Sequence, residues 1–209
     1  MNKNEKFVIT INRELGSGGR TVGRKLAEKL NVEFYDKTLI RELTEKFNLT
    51  VEEVEKMKGR SHTWWSELAN NLSAGFSMTP TGQIPAKLDV PTTEEMFKVE
   101  TEILKGIAAT SSCVVAGRSG FFVFRNEPNC LSILIQASMP FRVERVMRKQ
   151  NLTEDEARKT IEKVDKMREN YVQKYTKTSR YDTRNYDLVI SADGKSEDEI
   201  VDIILQYIG

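Results

Sequence analysis

Histidine is almost missing from this chain: His62 stands alone among 209 residues, and cysteine occurs only at Cys113 and Cys130. Those counts exclude a structural zinc site built from a Cys/His cluster and a disulfide scaffold. Both cysteines lie beside apolar runs, which marks them as reduced core residues of a cytosolic protein. Nothing in the chain suggests a Ser-His-Asp or Cys-His arrangement for nucleophilic catalysis. No apolar stretch approaches the roughly 20 residues that span a bilayer. The first apolar run, Phe7–Ile11, precedes no small-residue cleavage site and reads as a strand, not as part of a signal peptide. Charge of one sign is also missing, with 32 Lys plus Arg against 31 Asp plus Glu. That balance removes the electrostatic motive for binding nucleic acid. At 39 % hydrophobic and 30 % charged residues, the composition is neither collagenous nor mainly disordered, and the length suits one large domain or two joined ones.

What is present is a set of short runs rich in Val and Ile: Phe7–Ile11, Cys113–Ala116, Leu131–Ile135 and Asp187–Ser191, with a weaker fifth at Val32–Tyr35. They are too short for helices, and they are continuous instead of alternating, as strands of a parallel sheet covered on both faces are. Between them lie helical patterns, the first marked by Val22, Leu26 and Leu30 at four-residue spacing. Thr50/Glu53, Thr92/Glu95, Thr153/Glu156 and Ser196/Glu199 each place a glutamate three residues after a hydroxyl. At that spacing the two side chains satisfy each other's orphan backbone donors at a helix start. The alternation breaks over 38–109, where helical pieces around Lys37–Phe47, Val51–Gly59 and Glu94–Ala109 surround the Pro- and Gly-containing segment Ser73–Pro91. That segment reads as a mobile loop or lid joint. His62, Trp64 and Trp65 form a local cluster that reads as packing.

The first strand runs into Asn12-Arg13-Glu14-Leu15-Gly16-Ser17-Gly18-Gly19-Arg20-Thr21, and a helix follows. Glycines at a strand-to-helix joint let the backbone wrap an anion, and the helix start adds free N–H groups and a positive dipole end. The pattern G-x-x-x-x-G-K-[ST] is nevertheless not met. Aligned on Gly18, its first glycine is Arg13 and its lysine is Gly19, with Arg20 next and the hydroxyl one place late at Thr21. A guanidinium from Arg20 or Arg13 is the available substitute, since it binds phosphate in a bidentate way.

The run Ile9-Thr-Ile-Asn-Arg-Glu-Leu-Gly-Ser-Gly-Gly-Arg-Thr-Val-Gly-Arg-Lys-Leu-Ala-Glu-Lys-Leu followed by Phe34-Tyr35-Asp36-Lys37 resembles the opening of the cytidylate kinase-like family. Val115-Ala116-Gly117-Arg118, Ile161-Glu-Lys-Val-Asp-Lys-Met-Arg-Glu-Asn-Tyr and Tyr186-Asp-Leu-Val-Ile resemble further signatures of that family, over nearly the whole chain. The resemblance implies a three-layer α/β P-loop NTPase fold with a central parallel sheet, a helical monophosphate-binding insert and a basic helical lid. It implies one domain over 1–209: a core of 1–37 and 110–209, the lid at about 142–184, and the insert at 38–109. It further implies that amides of Gly16, Ser17, Gly18, Gly19 and Arg20 hold the donor phosphates beside Arg13, with Thr21 near magnesium. Asp36 and Arg118 would bind the acceptor, beside Ser119 where cytidylate kinases carry an aspartate. Lys163 and Arg168 would close with Arg20 over the transferring group, Asp165-x-x-Arg168 being similar to the family's D-x-x-R.

Residues 142–184 carry thirteen basic side chains against eight acidic ones, a local excess suited to a lid over polyphosphate; most of the individual charges read as a solvated helix face. Arg118 reads as a phosphate ligand or a structural ion pair, and Asp36 as a ligand or a helix cap. The sequence therefore points to a cytoplasmic phosphotransferase that moves the γ-phosphoryl of ATP, with Mg2+, to a nucleoside monophosphate or related phosphate. Its expected partners are small nucleotides, with no membrane and no specific nucleic acid, in a monomer or homodimer. The competing reading is a nucleotide-binding module without turnover, carrying a protein partner on its insert. A dinucleotide oxidoreductase lacks the necessary G-x-G-x-x-G spacing.

Overall fold

The computed structural model describes residues 1–40 and 94–209. The tetrads at Thr50/Glu53 and Thr92/Glu95, the piece Val51–Gly59, the segment Ser73–Pro91, the cluster at His62 and most of the 38–109 insert lie wholly or partly outside those residues. Among the described residues, five strands form one parallel sheet: β1 (Val8–Arg13), β2 (Glu33–Asp36), β3 (Cys113–Ala116), β4 (Cys130–Gln136) and β5 (Leu188–Ser191), in the order β2-β3-β1-β4-β5. The helices are α1 (Gly19–Leu30), α2 (Glu94–Thr110), the single turn α3 (Gly120–Val123), α4 (Met139–Gln150), α5 (Glu154–Thr176) and α6 (Glu197–Ile208).

Successive strand residues point to opposite faces, and each face meets helices. Ile9 and Ile11 enter one core with Val22 and Leu26 of α1 and Ile200, Val201 and Ile204 of α6. Val8 enters the other with Tyr35, Val115 and α2 residues Ile103, Leu104 and Ile107. Each such aliphatic side chain, once fully buried, contributes about 1.5–3 kcal/mol. Two covered faces are the reason the strands read as unbroken apolar runs. Cys113 and Cys130 are free thiols in this interior, and burial pushes both up to about 12. Among the described residues no helix is long and apolar enough to cross a membrane.

One strand boundary moves in a way that matters. β1 continues past Ile11 because Asn12 and Arg13 stay in register with Leu134 and Ile135 of β4. Arg13 is thus the last rung of a rigid strand instead of the start of a loop. The two capping tetrads within the described residues form in full. The amide of Glu156 donates to Thr153 Oγ1 and that of Glu199 to Ser196 Oγ, while each carboxylate accepts from its cap's N–H at 2.8 Å.

The chain leaves β1 through α1 towards β2, and leaves β4 through α4 and α5 towards the other edge. Adjacent strands whose connections diverge open a crevice at their carboxyl ends, here between β1 and β4. The pair α4 and α5 covers that crevice. Val143, Val146, Ala157 and Ile161 form a small core of their own, and Leu15 of the glycine loop packs against it.

Candidate functional site

The loop after β1 is built almost wholly from main chain. The Glu14 amide donates to Ile135 O at 3.1 Å, the Ser17 hydroxyl donates to Glu14 O at 3.0 Å, and the Glu14 carboxylate accepts from the Ala137 amide at 3.0 Å. Gly16 and Gly18 adopt φ of 88° and 84°, the left-handed region that favours glycine. Gly18 is the N-cap of α1; no side chain caps that helix, and its first turn holds no acidic residue. The first-turn amides of Gly19, Arg20 and Thr21 therefore face outward at a positive helix end, the geometry of an anion site. Thr21 is half-buried on that turn.

Gly16 is constrained twice, because a Cβ there would lie 2.8 Å from the carbonyl oxygen of Arg142 on the lid. Gly16→Ala is expected to lose about 1–3 kcal/mol from the backbone conformation alone and to loosen loop against lid. A melting temperature within about 1 °C of wild type would contradict that.

Guanidinium groups converge above this loop. Asp165, 7 % exposed on α5, is their hub: Oδ2 meets Nη1 of Arg142 at 2.6 Å, and Oδ1 meets Nη1 of Arg180 at 3.4 Å and Nη1 of Arg168 at 3.5 Å. Oδ1 also accepts from the Leu15 amide at 3.0 Å, which ties lid to loop. Arg168 donates to the carbonyl of Arg13 at 3.2 Å, and Arg180, with no exposed surface, donates to the same oxygen. Burial, and then the charge of Arg168, pull the Arg13 guanidinium below the ordinary arginine range; burial and Arg180 do the same to Arg168. Cations that depress one another in this way are an arrangement relieved by a bound anion.

On the far side of the loop, Nε of Arg20 sits 2.6 Å from Asp36 Oδ2. The other Asp36 oxygen accepts from the amides of Thr38 and Leu39 at 2.9 and 3.1 Å, capping the helical turn over 37–40. Asp36 is thus a cap and an ion partner at once. Past β3, Arg118 and Ser119 both take left-handed φ, and Arg118 forms a buried ion pair with Glu100 of α2. Its guanidinium also lies over the Tyr171 ring at 4.8 Å. Tyr171 and Tyr175 pack with Phe97 of α2, the Phe97–Tyr175 pair stacking at 4.5 Å, so lid and helix α2 meet through aromatic faces.

Arg13, Arg20, Asp36, Arg118 and Ser119 therefore gather at the carboxyl ends of the strands with the glycine loop. Lys163 does not join them. It is exposed two residues before Asp165, about 200° around the helix. Sequence reasoning passed over Glu100, counted Arg180 only as one of thirteen basic side chains, and treated Gly117 and Asp165 only as parts of motifs. For Asp165 a signal existed, since a carboxylate three residues before Arg168 shares its helix face. For Glu100 and Arg180 none did.

A model of the cytidylate kinase-like family matches residues 8–193. The chain belongs to that family. A cytidylate kinase from Sulfolobus acidocaldarius is 24 % identical over 201 residues, covering 96 % of this chain and 93 % of that one. Among solved structures, an uncharacterized protein from Eubacterium ventriosum superimposes with a TM-score of 0.71 at 25 % identity, over 98 % of both chains. Shikimate kinase from Bacteroides thetaiotaomicron does so at 0.51 and 15 % identity, over 97 % of this chain and 98 % of its own, a likeness of fold alone. Membership of the family supports a nucleotide kinase-like role and a small nucleotide ligand.

Proposed function

We propose that this protein transfers the γ-phosphoryl group of ATP to a nucleoside monophosphate. The observation that carries the reading is the surplus of guanidinium groups around an uncapped helix start, at the carboxyl-end crevice where open α/β sheets bind ligands. Phosphoryl transfer spreads charge over three equatorial oxygens and asks the protein for positioned donors, not for a nucleophile. The amides of Gly16 to Thr21 orient the donor phosphates, and Arg168 and Arg180 approach from the lid. Arg118, Ser119 and Asp36 face the acceptor, whose own phosphate oxygen attacks.

Among the described residues no three His, Cys, Asp or Glu side chains converge as a metal cage. The Thr21 hydroxyl, half-buried on the first turn of α1 beside the glycine loop, is the residue that would hold magnesium, an ion that usually keeps several waters and leans on substrate phosphates. The ion would supply positive charge against the negative charge developing on the phosphates.

The glycine at position 19 favours a second reading, a nucleotide-binding module without turnover. A coupled assay with ATP, Mg2+ and a panel of ribo- and deoxyribonucleoside monophosphates separates the two. Transfer to at least one acceptor is expected, reduced roughly 100- to 1000-fold in Arg168→Ala. Saturable ATP binding with no transfer to any monophosphate would leave only the module.

A further inference from the structure

We infer that Arg13 supplies the cation of this phosphate loop, and that Arg13 and Gly19 are a compensated exchange of the glycine and the lysine in the P-loop pattern. The inference rests on reading the loop as a phosphate site and names the residue on which that site turns. In the pattern, glycine opens the loop at the position of Arg13 and lysine follows the last glycine at the position of Gly19. The fold brings these two positions together. A Cβ built on Gly19 would lie 2.6 Å from Cβ and 3.1 Å from Cγ of Arg13. Only one of the two positions has room for a long side chain, so a lysine at 19 and an arginine at 13 exclude each other.

The arginine's path is cleared at its far end as well. Its Nη1 packs against Gly117, a glycine with φ of 81°, in the space that a Cβ would fill. Between Gly19 and Gly117 the side chain crosses from the end of β1 towards the end of β3, from the donor side of the crevice to the acceptor side. Its root is the last rung of β1, in register with Ile135, so the group is held by the sheet.

The other cations already have protein partners in this structure. Arg20 is held by Asp36, and Arg168 and Arg180 are spent on Asp165 and on the main-chain oxygen of Arg13 itself. Among the described residues no carboxylate stands within ion-pair distance of the Arg13 guanidinium; burial and the charges of Arg168, Arg180 and Arg20 outweigh the attraction of Asp36, which lies beyond that distance and is paired with Arg20. A charge so placed gains its counter-ion from a ligand, and a guanidinium offers the paired donors that a phosphate takes.

The test uses inorganic tripolyphosphate as an equilibrium probe alongside ATP turnover. Arg13→Met is expected to weaken tripolyphosphate binding roughly 10- to 100-fold by calorimetry. Its melting temperature should not fall, because removing one of several crowded like charges relieves the site. Tripolyphosphate affinity within about twofold of wild type, or a wild-type protein that does not bind the probe, overturns the inference.

The exchange itself is tested by reversal. Arg13→Gly and Gly19→Lys should each impair binding, and the double variant should bind more tightly than either. A folded double variant that binds no better than Arg13→Gly also overturns it. Wild type that binds tripolyphosphate through Arg13 yet transfers to no monophosphate upholds this inference while ending the kinase reading.

Discussion

Asp165→Asn is expected to unfasten the lid from the loop. The substitution keeps the shape of the side chain but removes the one negative charge that Arg142, Arg168 and Arg180 share. Exposed ion pairs contribute little, but this hub is 7 % exposed and Arg180 has no exposure at all. Removing one partner of a buried pair costs about 3–5 kcal/mol, because the remaining charge stays desolvated and uncompensated. In a chain of this length that corresponds to a fall in melting temperature of about 6–20 °C, read by calorimetry or circular dichroism. Inorganic phosphate should raise the melting temperature of the variant more than that of wild type, since an anion takes over part of the lost role. A loss of under about 3 °C would mean that the three guanidiniums find other partners, and the hub would cease to explain the site.

The second large effect belongs to Glu100 and Arg118. Glu100→Gln leaves the Arg118 guanidinium in the interior beneath Tyr171 without its carboxylate, and a loss of about 3–5 kcal/mol follows for the same reason. The double variant Glu100→Leu with Arg118→Met is more informative. Replacing both members of a buried pair by apolar groups is often neutral or stabilising, so the fold should recover most of its melting temperature. If Arg118 binds the acceptor, phosphoryl transfer will still be lost, as a rise in acceptor KM of roughly 10- to 100-fold. A stable double variant with an unchanged KM would make the pair purely structural.

Much of the architecture was readable beforehand because its causes are local. Phe7–Ile11, Cys113–Ala116 and Leu131–Ile135 announce covered strands by composition, and Thr153/Glu156 and Ser196/Glu199 announce helix starts by a spacing of three. Of the site, the glycine loop was readable for the same reason, since a run of glycines before a helix has few other uses. The basic stretch over 142–184 was readable only in bulk. Arg142 is buried on Asp165, Arg145 pairs with Glu197, and Arg148 pairs with Glu144 on the exposed face, although the three arginines are evenly spaced and alike in type. Helical periodicity cannot rank them, because a buried arginine differs from a solvated one only in what other segments bring to it.

From its residues alone this protein's layered sheet, its helix starts and its glycine loop follow, each being a property of a few consecutive positions. Which charges face inward was settled by folding. Asp165 meets Leu15 across 150 positions, Glu100 meets Arg118 between two elements, and Arg13 fits beside Gly19 and Gly117 only once β1, α1 and β3 stand side by side. The cost of an unpaired charge or of a misplaced Cβ exists only where water has been removed and backbones touch, and the closed tertiary structure creates both conditions.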